Sequence, residues 1–293
     1  MWYNLYMDET RFDSRLASEY SPESQAEKYK FVPTDALITF GRGIEQVSIS
    51  GSEGEQKIWK GTRLVQELKK DPTTGRHIRT GQRKAGEPLE SFASEDDLKE
   101  MAAGANANIL ATVQWMRLAN ERNTLPKEII CSGGRPAYLE NAEAGISEAS
   151  VMSLEFKRRL GLELKNKQTE LPPVDIVTES KNTKDDITYS LLKAKEKGCR
   201  SVTIVNVSWA MERTKAFYEL NVLKNHPELK DMEVLFVTSD ELLVSRFGHR
   251  AELILNELKN TAAYKDTLVN EDIGTQKIKE GEYGKGHRGK GNY

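Results

Sequence analysis

Five short apolar runs in this chain end in residues suited to hold a small anion or a sugar hydroxyl. The ends read Gly41-Arg42-Gly43, Ser132-Gly133-Gly134, Glu179-Ser180-Lys181-Asn182-Thr183, Ser208-Trp209 and Thr238-Ser239-Asp240. Glycines let the backbone approach a ligand closely, and their N–H groups can cradle an anion before a helix begins. Arg135, next to the glycine pair, can add a bidentate contact to a phosphate or carboxylate. Glu148 and Glu179 can form a carboxylate pair beside these loops, suited to a ribose hydroxyl, a sulfonium or amine, or a metal. Plainer readings stand beside these: a tight turn with positive φ for Ser-Gly-Gly, and for each glutamate an acid favoured by a helix N-terminus.

The elements that must position these residues follow from the patterning. The runs Ala36 to Phe40, Glu128 to Cys131, Val174 to Val177, Ser201 to Val207 and Glu233 to Val237 are short and rich in β-branched residues, as buried strands are. Helical spacing occupies Leu98 to Asn123, Glu148 to Leu160, Thr183 to Lys197, Met211 to Lys224 and Glu241 to Leu258. The alternation predicts an α/β fold: a parallel sheet of about five strands with helices on both faces. All five polar ends then share one rim, where a switch in strand order leaves a crevice for ligand. "NTKDD" predicts a cap at Thr183 with Asp186 three residues on, "TSDELL" a cap at Ser239 or Asp240, and "EKGCR" a C-terminal glycine at Gly198.

Composition narrows the function classes. A net charge of −2 and a pI near 6.2 argue against a dedicated nucleic-acid binder. No window reaches the length of apolar chain that a transmembrane helix needs, and the N-terminus lacks a signal-peptide stretch, so a soluble, cytoplasmic protein is expected, with no integral membrane association. Two cysteines, Cys131 and Cys199, fit a reducing compartment. "GRGIEQ" carries only two glycines of a dinucleotide fingerprint, and no P-loop or G-x-S-x-G elbow occurs. His77, His226, His249 and His287 are scattered, so no metal is expected. Cys131, at the end of an apolar strand, reads as a small core residue rather than a nucleophile.

The ordered set "DALITFGRG", "IICSGG", "SEASVM", "ESKNTKDD" and "SVTIVNVSWAMERTKAF" resembles the YdcF/SanA/ElyC-like family, a bacterial domain of unknown function. The resemblance runs from about Asp35 to Val237 with one insertion, and it lies in the order of the motifs rather than in any one of them. It implies a Rossmann-like fold with a ligand pocket on Gly41, Gly43, Ser132, Gly133, Gly134, Glu148, Glu179, Asn182, Thr183, Ser208 and Arg213. It further implies a link to cell-envelope biogenesis and a small-molecule ligand such as S-adenosylmethionine or a nucleotide. The family's histidine falls on Ala210, its usual asparagine on Asp186, and Arg42 breaks the first glycine run. A general acid or base at position 210 is thus absent, and binding survives these departures better than catalysis does.

The expected organisation is an N-terminal extension over 1–34, the Rossmann-like domain over 35–262 with a polar insertion at 45–95, and a flexible extension over 263–293. Between Lys57 and Lys84 lie nine Lys or Arg against Glu67 and Asp71, with a hairpin turn at "DPTTG". This stretch reads as a solvated hairpin balanced by the acids from Glu87 to Glu100, or as a lid bringing positive charge to a phosphorylated ligand. Two function classes follow. One binds a small anionic or nucleoside-type ligand, S-adenosylmethionine or a phosphorylated metabolite, with no reaction assigned; the other is a non-catalytic regulatory or partner-binding module that keeps the fold.

Overall fold

Branched and aromatic side chains alternate between two cores along the central strand. In β1 (Ala36–Phe40) Leu37 faces one buried cluster while Ala36, Ile38 and Phe40 face the other, and the whole strand is buried. A strand covered on both faces is apolar at most positions, and β1 reads as an apolar run broken only by Thr39. The computed structural model describes residues 30–51, 54–61, 68–70, 77–79, 104–135, 145–164, 170–260 and 262–283.

The main sheet adds β6 (Glu128–Ser132), β7 (Val174–Val177), β8 (Ser201–Asn206) and β9 (Glu233–Thr238) in the order β7-β6-β1-β8-β9, all parallel. The fold is α/β and Rossmann-like. Ile109, Val113 and Met116 of α1 (Gly104–Glu121), Met152 and Phe156 of α2 (Glu148–Leu164) and Leu242 of α5 (Ser239–Phe247) fill one face. Ile187 and Leu191 of α3 (Thr183–Glu196) and Phe217 of α4 (Ser208–Phe217) fill the other. The chain builds outward from β1 to β7, then crosses through α3 to start again at β8 on the other side of β1. The ends of β1 and β8 therefore form the switch point.

Several expected boundaries shift. The cap of α3 is Asn182, whose side chain accepts from the Asp185 N–H, so Thr183 is freed for other contacts. The cap of α5 is Thr238, in a full capping box with Glu241, and Ser239 is buried one position inside. The fourth helix starts at Ser208 rather than Met211 and passes into a π turn at Tyr218–Val222. Gly248 divides the expected last helix into α5 and α6 (His249–Asn260). The C-terminal extension, expected to be flexible, contains a further helix, α7 (Ala262–Lys279), whose Ile278 joins the second core and whose following Tyr283 stacks edge-on against Phe217 at 4.9 Å.

The insertion opens as two antiparallel hairpins, β2 (Ile44–Gly51) with β3 (Gly54–Gly61), and β4 (Leu68–Lys70) with β5 (His77–Arg79). Lys70 pairs with His77, as a turn at "DPTTG" requires, although the turn itself, Arg83, Lys84 and the acids from Glu87 to Glu100 lie outside the described residues. Ile44 and Trp59 pack on Val151 of α2, and the Gly61 N–H donates to Glu155 Oε2 at 3.1 Å. The first hairpin thus leaves the rim and lies against α2. Among the described residues no helix is long and apolar enough to cross a membrane.

At the opposite end of the sheet, Asp35 ties β1 to β8. Its Oδ2 accepts from the Arg200 N–H at 2.8 Å and its Oδ1 pairs with Lys127 Nζ at 2.8 Å. Lys127 first, and the Arg200 N–H next, hold the Asp35 carboxyl below the usual carboxylate range. A depressed folded value stabilises at pH above the unfolded value and is lost as pH falls through the folded one. Asp35→Asn is expected to lose about 1.5 kcal/mol near pH 7. Urea unfolding of the two proteins should show that gap close below about pH 4.

Candidate functional site

The rim is organised around an asparagine. Asn206, the last residue of β8, is fully buried, and its Oδ1 accepts from Arg42 Nε at 3.0 Å, from Asn108 Nδ2 at 3.2 Å and from the Val207 N–H at 2.9 Å. Its amide donates to Thr214 Oγ1 at 2.9 Å. Asn108, on α1, also donates to the Phe40 carbonyl at 2.9 Å. The two asparagines clamp the ends of β1 and β8 where the topology would otherwise splay them.

Arg42 is held by this clamp. Besides Asn206 it donates through Nη1 to Thr183 Oγ1 at 3.3 Å, and its guanidinium carbon stands 5.7 Å from the Trp209 ring centre and 6.0 Å from that of Phe40. Arg213, one turn into α4, donates through Nη2 to the same Thr183 hydroxyl at 3.4 Å and pairs through Nε with Glu271 Oε2 of α7 at 2.8 Å. Burial first, and Arg213 next, lower the pKa of Arg42, opposed by Glu271, Asp186 and Glu148. Two arginines thus converge on one threonine at the switch point.

Asp186, one turn into α3, is buried and accepts from Ser132 Oγ at 2.9 Å. Burial raises its pKa despite the opposing pull of Ser180, Arg42 and Ser132. It binds the end of β6 to α3.

The glycines turn out to admit protein atoms. A Cβ on Gly41 would stand 2.5 Å from Glu148 Cβ, and one on Gly133 would stand 2.7 Å from it. Glu148 accepts from the Gly43 N–H at 3.0 Å through Oε1, while its own N–H donates to the Gly134 carbonyl at 3.0 Å. The anion beside the first glycine loop is therefore the protein's own carboxylate, and the glycines let α2 start close against two strand ends. Gly134 in turn lies against the Ser180 carbonyl.

Of the residues expected at a site, Thr183 and Arg213 meet directly, while the Ser208 hydroxyl meets that of Tyr264 at 3.1 Å. Gly41, Gly43, Gly133, Gly134 and Glu148 form the packed floor, Ser132 holds Asp186, and Asn182 caps α3. Glu179 is exposed and accepts from the Thr178 N–H at 3.0 Å, so the described contacts do not join it to Glu148 as a pair. Arg135 is exposed at the edge of the described residues. Cys131 is buried, and burial pushes its thiol up to about 12, which keeps it protonated and unreactive. Sequence reasoning passed over Asn206, Asn108, Glu271 and the positive role of Arg42. The signals were there in the asparagine closing "SVTIVN" and in an arginine between two glycines.

The fold and this rim define a Rossmann-like α/β protein with a pair of arginines at its switch point. Comparison with protein-family models, with curated proteins and with solved structures finds no match to any of them.

Proposed function

We propose that the chain is a YdcF-like domain protein that binds a small anionic or nucleoside-type ligand, S-adenosylmethionine or a phosphorylated metabolite, at the C-terminal rim of its sheet. The observation that carries this reading is the convergence of Arg42 and Arg213 on the Thr183 hydroxyl beside the aromatic face of Trp209. Guanidinium groups suit phosphate and carboxylate geometry, and an indole face suits a flat base. The proposal is one of binding, with no reaction assigned; the Cys131 thiol, protonated and buried, takes no part in it.

Thermal unfolding against S-adenosylmethionine, S-adenosylhomocysteine, nucleotides, sugar phosphates and isoprenoid phosphates tests it. A ligand at about 100 times its Kd should add roughly 2.7 kcal/mol, and the shift should vanish in Arg42→Gln and weaken in Asn182→Ala. A panel in which no compound stabilises the wild type would favour the partner-binding module instead.

A further inference from the structure

The helix α7 is built the wrong way round for a helix that only closes a core. Through its middle turns Thr267, Glu271 and Thr275, at spacing i, i+4, i+8, are buried, while Val269 and Ile273 on the outside are 58% and 50% exposed. A surface helix normally buries its apolar stripe, because that burial supplies most of its stability. Here the apolar anchors are Tyr264, which packs with Leu255, Leu258 and Trp209, the half-buried Leu268 in the same cluster, and Ile278, which enters the second core. The buried polar stripe reaches the rim through Glu271, which pairs with Arg213. Gly274 lies beside the Arg213 side chain, whose Cδ is 3.4 Å from where a Cβ would stand, an ordinary contact distance. An interior glycine weakens the helix by about 0.5 to 1 kcal/mol relative to alanine.

We infer that the middle of α7 is an intramolecular occupant of the rim, with the Glu271 carboxylate standing where the anionic group of a ligand would meet Arg213, so that ligand must displace this helix to bind. The inference rests on the proposed reading of the rim as a ligand site and adds its regulation. The ligand class it implies carries a phosphate or carboxylate able to compete with Glu271 for a guanidinium. A carboxylate already held by the same chain competes at high effective concentration, which lowers the apparent affinity of the free ligand. Whatever draws α7 off the rim raises that affinity, and by reciprocity ligand loosens α7.

Calorimetric titration of the full chain with inorganic pyrophosphate, together with amide hydrogen exchange over 262–279, tests this. Glu271→Gln keeps the size and a hydrogen-bond acceptor for Arg213 but removes the competing charge. It should bind pyrophosphate at least about fivefold more tightly than wild type, the low end of usual coupling. In wild type, saturating pyrophosphate should speed exchange across α7. If pyrophosphate binds wild type and is lost in Arg42→Gln, but Glu271→Gln binds equally or more weakly, Glu271 belongs to the binding site and the occupant idea falls while the ligand reading stands. If neither protein binds and exchange is unchanged, the occupant idea falls, and the ligand reading falls with it only where the unfolding panel is also negative. Should circular dichroism show Glu271→Gln unfolded, the wild-type exchange decides alone, and α7 amides slowed or unchanged in the bound state overturn the inference.

Discussion

Replacing Asn206 by leucine is expected to cost about 4 kcal/mol and lower the midpoint of thermal unfolding by roughly 8 to 16 °C. Leucine keeps the branched shape with two methyls in place of the amide oxygen and nitrogen, so no cavity opens and the loss is first one of hydrogen bonding. Asn206 is fully buried, and without its Oδ1 the Val207 N–H and the Arg42 Nε lose an acceptor at 2.9 and 3.0 Å. An unsatisfied buried donor costs about 1 to 3 kcal/mol, and a guanidinium sits at the upper end. Asn108 suffers less, since it still donates to the Phe40 carbonyl, and Arg42 still reaches Thr183. Asn206→Asp separates the terms. It keeps the acceptor for Arg42 and gives up only the bond to Thr214, so most of the stability should return near pH 7. A leucine variant melting within about 2 °C of wild type would mean that the clamp at the switch point contributes little.

The same cluster shows how far side-chain chemistry can be read along a chain. The five strands of the main sheet were legible almost to the residue, because strands buried in a parallel sheet are apolar at most positions and stop where they meet polar groups, whereas β2 and β3 of the insertion were not read as strands. From that alternation the parallel sheet and its polar rim followed. The partners of each polar residue were not legible, since they depend on which strand ends lie side by side. Arg42 looked like an interruption in a glycine run until the order β6-β1-β8 set it against Asn206. The glycines at 41 and 133 looked like space for a ligand, and the Glu148 side chain fills that space.

The helix α7 was missed for a different reason. Period-3.6 reading takes the apolar stripe as the buried one, and in α7 the stripe Val269 and Ile273 faces out while Thr267, Glu271 and Thr275 face in. The glycines and lysines that follow made the whole segment look like an unfolded tail. A caps-only shift explains Thr183: Asn182 is as good a cap as threonine, and the choice between neighbours turns on whether the hydroxyl has better partners, which here are Arg42 and Arg213.

Gly134→Ala carries the other large expected effect, about 3 kcal/mol of lost stability and a midpoint lower by roughly 6 to 12 °C. The added methyl would overlap the Ser180 carbonyl oxygen, which is main chain and has no rotamer by which to yield. Either the loop after β7 moves outward, or Gly134 does, and its carbonyl then leaves the Glu148 N–H at the start of α2. The first movement carries Asn182 and Thr183 with it and so separates the Thr183 hydroxyl from both arginines. Ligand-induced stabilisation should therefore disappear in this variant even at temperatures where it stays folded. Gly161→Ala serves as the comparison: it lies within α2 with nothing near a new methyl, and it should gain about 0.5 to 1 kcal/mol. Equal midpoints for the two variants would sink the argument, because both add the same methyl and only one of them meets the loop that carries the arginine-binding threonine.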